Sequence, residues 1–176
     1  MIAFLRAINV GGHNVKMEVL RDLFVELGLK DVETFIASGN VIFRAEPEDR
    51  RGLEPRLEAR LREALGYEVK TFVRTTAEVR DIARYRPFPE PDLEAARAFC
   101  VGFLSAPPDA AATKLVLAQK TDVDDFHVSG REVYWLCKVG QSESEFSNAR
   151  FEKKVGLSVT FRGMKTVSKL AAKYGV

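Results

Sequence analysis

Two groups of residues carry the chemistry that this chain can offer. The first is Arg6-Ala7-Ile8-Asn9-Val10-Gly11-Gly12, followed at a distance by Ser38-Gly39-Asn40. Glycines allow backbone N–H groups to come close to a ligand, and an arginine supplies a forked, charge-assisted contact. Asn9, Ser38 and Asn40 add neutral donors that read shape. Together Arg6, Asn9, Gly11, Gly12, Ser38, Gly39 and Asn40 suit an anion, and the same glycine and asparagine types also make ordinary turns. Ser38 is the one candidate nucleophile of the group, with Arg6 as a charge stabiliser. No histidine is expected beside it as a base.

The second group is basic. From Arg150 to Val176 there are seven Lys or Arg and one acid, so this segment carries +6 while the rest carries −4, under an overall charge of only +2. Within it Arg162, Thr166 and Lys169 are the residues expected to complete an anion site, provided the fold brings them near the first group. Lys165, Lys169 and Lys173 share one helix face, which reads either as a solvated stripe or as a phosphate contact.

Other chemistries are excluded or left without a partner. Two cysteines and two histidines cannot build a clustered four-ligand zinc site or a disulfide scaffold, and no metal site is expected. Cys100 and Cys137 sit in apolar, strand-like surroundings and read as buried thiols. His13 lies in a Gly/Asn loop and His127 on a strand, neither with an acidic neighbour in sequence. Asp122, Asp124 and Asp125 lack the glycine and distant glutamate of a calcium loop and read as a solvated turn. No phosphate loop, nucleophile elbow or zinc-protease helix motif is present, and the sequence names no cofactor. Arg6 breaks the first apolar run, so no signal peptide is expected. No run reaches the ~20 residues that cross a bilayer, so no membrane partner is expected and the cytoplasm is the expected location.

The elements that must position these residues emerge from periodicity. Ile2–Ile8 reads as a buried strand, with Gly11-Gly12 breaking it and Asn14 capping a helix that carries Met17, Leu20, Phe24 and Leu27 and stops at Gly28. Val32–Ala37 and Asn40–Arg44 form a hairpin over Ser38-Gly39. Leu53, Leu57, Leu61 and Leu65 predict an amphipathic helix, with Pro55 in its first turn and Gly66 as its stop. Tyr67–Arg74 alternates as a strand, and Thr75 with Glu78 has capping-box spacing for a short extra helix. Pro87, Pro89 and Pro91 mark a linker.

Beyond the linker the order starts again. Ala98–Leu104 is a strand, Asp109–Leu117 a helix, and Val123–Val128 with Glu132–Lys138 a hairpin. Ser142 and Glu145 suggest the start of a helix ending before Gly156. Ser158–Phe161 is a strand and Met164–Tyr174 a closing helix. Phe35-Ile36-Ala37-Ser38-Gly39 echoes Phe126-His127-Val128-Ser129-Gly130, and Arg74 with Val79 and Ile82 echoes Arg162 with Val167 and Leu170. The expected fold class is therefore α+β, a duplicated ferredoxin-like unit (βαββαβ plus an extra helix) with antiparallel sheets. Its expected parts are residues 1–86, a Pro-rich linker at 87–97, and residues 98–176. In such a unit the exit of strand one and the strand two–three hairpin share an edge, which brings the first group of residues together.

The run from Arg6 to Gly12, the succeeding Lys16-Met17 and Leu20, and Ser38-Gly39-Asn40-Val41 after Thr34-Phe35-Ile36 closely resemble the N-terminal signature of the family called domain of unknown function 1697. Thr160, Arg162, Thr166, Val167, Lys169 and Leu170 resemble its closing motif. Ala7 stands where that family usually has glycine, and Gly163-Met164 where it has Asn-Trp. The resemblance implies two ferredoxin-like subdomains and supplies no reaction. The functional expectation is a binding module for an anionic, phosphorylated ligand, either a nucleotide or a nucleic-acid segment. The alternatives are an enzyme using the same edge and a structural or oligomerising protein.

Overall fold

A computed structural model describes every residue except Val10, Ala37, Ser38 and Val176. The chain divides into two compact units. The first is Met1–Val79 with the C-terminal residues from Tyr174, and the second is Arg80–Lys173.

The first unit is a four-stranded antiparallel sheet: β1 (Ile2–Leu5), β2 (Lys30–Phe35), β3 (Asn40–Arg44) and β4 (Thr71–Arg74), in the order β2-β3-β1-β4. Two helices, α1 (Met17–Glu26) and α2 (Leu53–Leu65), cover one face. Strand alternation sends Ala3, Leu5, Val41, Phe43 and Val73 into a core with Leu20, Leu23 and Phe24 of α1 and Leu53, Leu57 and Leu61 of α2. Ile2, Phe4, Ile42, Phe72 and Arg74, on the opposite face, are buried too. The outer edge of β4 is closed by α2. Glu54 accepts from Val73 N at 2.7 Å and Glu58 from Thr71 N at 3.0 Å, so these edge donors are satisfied.

The second unit repeats the plan. Its strands are β5 (Ala98–Leu104), β6 (Asp124–Ser129), β7 (Glu132–Cys137) and β8 (Val159–Gly163), in the order β6-β7-β5-β8. The chain enters this unit through α3 (Thr76–Arg84) and α4 (Glu90–Ala95). The covering helices are α5 (Ala110–Leu117) and α6 (Asn148–Val155), and α7 (Met164–Tyr174) comes after β8. Its core joins Cys100, Leu104, Phe126, Val133, Trp135, Cys137 and Val159 to Val116, Phe151 and Val155. Gly102 is required there because Phe161 lies over it: a Cβ would come within 2.8 Å of that ring. Again a glutamate closes the outer strand, Glu152 accepting from Val159 N at 2.9 Å.

The expected duplication holds in detail. Arg74 and Arg162 each donate from Nη1 to the carbonyl of the preceding residue, both at 2.9 Å. Thr75 and Glu78 make the expected capping box, Thr75 N donating to Glu78 at 2.7 Å and Glu78 N to Thr75 Oγ1 at 3.1 Å.

Several local expectations are corrected. β1 ends at Leu5, because Ala7 takes a left-handed φ of +57° that no strand continues. Asn14 does not cap α1, which starts after Lys16 with no side-chain cap. Ser142–Glu145 opens no helix: α6 starts after Ser147, and the Ser144 hydroxyl turns instead to Asp124. Asp124 is not in a solvated turn. It is 3 % exposed and accepts from Trp135 Nε1 at 2.7 Å and Ser144 Oγ at 2.8 Å. The Pro-rich stretch contains α4, whose first turn accepts Pro91 because no helical N–H is needed there.

Candidate functional site

The β1 exit lies against the start of β3. Phe4 pairs with Asn40 across β1 and β3, and the Leu5 N–H donates to Gly39 O at 2.8 Å. Gly39 has φ +72°, and a Cβ on it would meet Ile8 Cγ2 at 2.7 Å and Leu5 Cβ at 3.1 Å. The exit loop of β1 and the β2–β3 bend are therefore in direct contact, and only glycine fits between them.

Several bonds hold the exit loop in shape. Arg6 N donates to Lys70 O at 2.8 Å. Asn9 Oδ1 accepts from Val15 N, six residues further on, at 2.8 Å. The Tyr67 hydroxyl donates to Ile8 O at 2.9 Å, and the His13 ring stacks on Tyr67 with centroids 3.8 Å apart. Between these ties, Gly11 and Gly12 are exposed, with φ of +68° and +88°, and open space stands where their Cβ atoms would be. Neither makes a hydrogen bond among the described residues. Further along the chain α1 begins at Met17, with no side-chain cap at Lys16.

Backbone strain marks the same edge. Ala7 has φ +57° and Ile36 has φ +61°. For a β-branched residue that is an outlier, and Ile36 is also 52 % exposed, so apolar packing does not offset it. The sequence carries one hint of this, since Ala7 stands where the resembled family has glycine. Nothing in the residue types points to Ile36 or to the Tyr67–His13 stack, because the backbone of one and the partners of the other are set by tertiary contacts.

The remaining expected site residues fall in different settings. Asn40 is fully buried and its amide donates to Phe35 O at 2.9 Å, so it shapes the hairpin from inside. Ser38 lies outside the described residues. Arg162, Thr166 and Lys169 belong to the second unit. Arg162 is half-buried and donates from Nη1 to Thr160 Oγ1 at 2.8 Å as well as to Phe161 O. Desolvation pushes its pKa down to about 10, which leaves it protonated at neutral pH. Thr166 is half-buried, and Lys169 is exposed on α7 with Lys165 and Lys173.

Of the strand aromatics, Phe4, Phe43, Phe72 and Phe103 are each no more than 2 % exposed and cannot stack on bases, whereas Phe35, Phe99 and Phe161 are half-buried. The thiols are inert as well. Burial raises Cys100 to about 11, with Gln141 Nε2 donating to its sulfur at 2.8 Å, and burial raises Cys137 too. Among the described residues no cluster of His, Cys, Asp or Glu could hold a metal ion, and no helix is long and apolar enough to cross a membrane.

The chain belongs to the family described as Protein of unknown function (DUF1697), whose model matches residues 1–134. That match contains both segments of the exit edge, and the closing motif around Arg162 lies beyond it. Among solved structures, the conserved bacterial protein SP0830 from Streptococcus pneumoniae is similar, with a TM-score of 0.66 and 20% sequence identity, over 97% of this chain and 96% of that one. At that identity the likeness shows the fold alone. No curated protein matches.

Proposed function

We propose that the exit edge of the first unit binds a small anionic, phosphorylated ligand such as a nucleotide. The observation that carries this reading is the exposed Gly11-Gly12 pair, whose N–H groups meet no acceptor among the described residues while the loop on both sides of them is tied down. Open amides in a fixed loop are an arrangement that favours phosphate. Arg6 supplies the charge. Asn9 braces the exit loop through Val15, and Gly39 and Asn40 hold the hairpin against β1; in this reading the ligand also takes a hydrogen bond from Ser38. Between the two forms of ligand, the burial of Phe4, Phe43 and Phe72 in the first unit favours a mononucleotide-sized molecule over a nucleic-acid segment. We take the compartment to be the cytosol, since Cys100 and Cys137 are free, buried thiols.

The test is a titration with inorganic phosphate, a mononucleotide and single-stranded RNA at two salt concentrations. The reading expects saturable binding of the mononucleotide with a shallow salt dependence, weakened about tenfold by Arg6→Ala. Absence of binding by all three probes at low salt would overturn it. Tight RNA binding with a steep salt slope would replace the small ligand with a nucleic acid.

A further inference from the structure

We infer that the His13 ring is a stacking platform for a nucleobase, which makes the ligand of the exit edge a nucleoside monophosphate rather than inorganic phosphate or a sugar phosphate. That assignment rests on the proposed phosphate site at Gly11-Gly12. A separate feature of the same loop supplies the base contact.

His13 stacks on Tyr67 with ring centroids 3.8 Å apart and planes 19° apart. Tyr67 is half-buried and its hydroxyl donates to Ile8 O at 2.9 Å, so this inner ring is anchored to the foot of the loop. His13 is the outer ring of the pair and is exposed, whereas every described phenylalanine and tyrosine of the first unit is buried or half-buried. One imidazole face lies against Tyr67, and the other meets no ring among the described residues. Neither ring nitrogen makes a hydrogen bond or ion pair among them. Stacking on Tyr67 also fixes the plane of the imidazole in advance, which lowers the ordering cost that a ligand meets.

Position and chemistry together set the class of ligand. At most about 7 Å of chain separates Gly11 from His13, a separation that one ribose bridges between a 5′-phosphate and its base. A flat π-surface beside amides that favour a phosphoryl group offers two contacts at once. A nucleotide uses both, and inorganic phosphate or a sugar phosphate uses one. Stacking tolerates any base, because every base has a π-face, so the platform selects nucleotides as a class.

The experiment compares adenosine 5′-monophosphate with ribose 5-phosphate, which carries the same phosphate and lacks the base, by calorimetric titration of the full chain at one pH and ionic strength. The wild type should bind the nucleotide at least about tenfold more tightly than the sugar phosphate. In His13→Ala the nucleotide should lose about tenfold in affinity and the sugar phosphate less than about twofold, while His13→Phe, which keeps a stacking ring, should keep the preference. The side chain is exposed, so both variants keep the fold, which circular dichroism checks. Equal affinities in the wild type would overturn the platform and leave the phosphate site standing. A preference that survives His13→Ala, or one that His13→Phe abolishes, would overturn it as well. So would an equal loss of both ligands in His13→Ala, which would make the stack a brace of the loop. Binding of neither ligand to the wild type would overturn the platform together with the phosphate site.

Discussion

In the first unit the Leu5 N–H donates to Gly39 O at 2.8 Å, and in the second the Leu104 N–H donates to Arg131 O at 2.9 Å. The same bond ties the exit of the first strand to the hairpin in both. Past this bond the two units diverge. The first continues through Gly11-Gly12 to a helix with no side-chain cap. The second continues through Pro107-Pro108, which removes two N–H groups, to Asp109, whose carboxylate accepts from Ala112 N at 2.7 Å. A carboxylate already sits where an anion would bind. Every non-glycine residue with positive φ among those described, namely Ala7, Asp31 and Ile36, is in the first unit. The two copies share a frame, and only one of them has an open, strained edge.

The largest expected effect tests how tightly the two edges are built. Gly39→Ala should destabilise the protein by about 3 kcal/mol, from a left-handed φ together with a clash on Ile8. The matching Gly130→Ala should destabilise by only about 1 kcal/mol, since its Cβ would meet nothing closer than Glu132 Oε2 at 3.5 Å. Urea unfolding measures both, and equal effects would break the contrast.

The next effect depends on pH and belongs to the second unit. Burial raises Cys100 from its ordinary 9.0 to about 11 in the folded protein. A raised acid favours its protonated form when folded, so this stabilisation is complete below pH 9 and is lost as pH rises toward 11. Between about pH 8.5 and 10.5 the wild type should lose about 2 kcal/mol more stability than Cys100→Ala, read from urea midpoints.

Smaller effects sharpen the comparison. Ile36→Gly should stabilise by about 1 kcal/mol, because an exposed β-branched residue leaves the left-handed region. Asp109→Ala should destabilise by about 1 kcal/mol through loss of a cap. Asn14→Ala should change stability by less than about 0.5 kcal/mol, since Asn14 does not cap α1. Thermal or chemical unfolding of these three variants ranks them directly.

Most elements could be read from local pattern. The bounds of β3 and β5, the leucine repeat of α2 with its stop at Gly66, and the Thr75–Glu78 box are all as periodicity and capping chemistry predict. Several of the failures share one cause, which is a side chain engaged beyond its own turn. Asn9, not Asn14, serves an N–H ahead of α1. Ser144 reaches back to Asp124, 20 residues away. Tyr67 leaves the strand pattern to bind Ile8 O, 59 residues away. Asn40 has the residue type of a surface donor and lies fully buried.

Short-range forces act between neighbours in the chain, so the residue order alone settled most helices, strands and turns and their repetition across the two halves. Whether a polar group meets solvent, a ligand or another part of the protein depends on which distant segments fold against it. That is why Gly11 and Gly12 end with exposed amides while Asn40 and Asp124 do not face water, a distinction that residue type could not make.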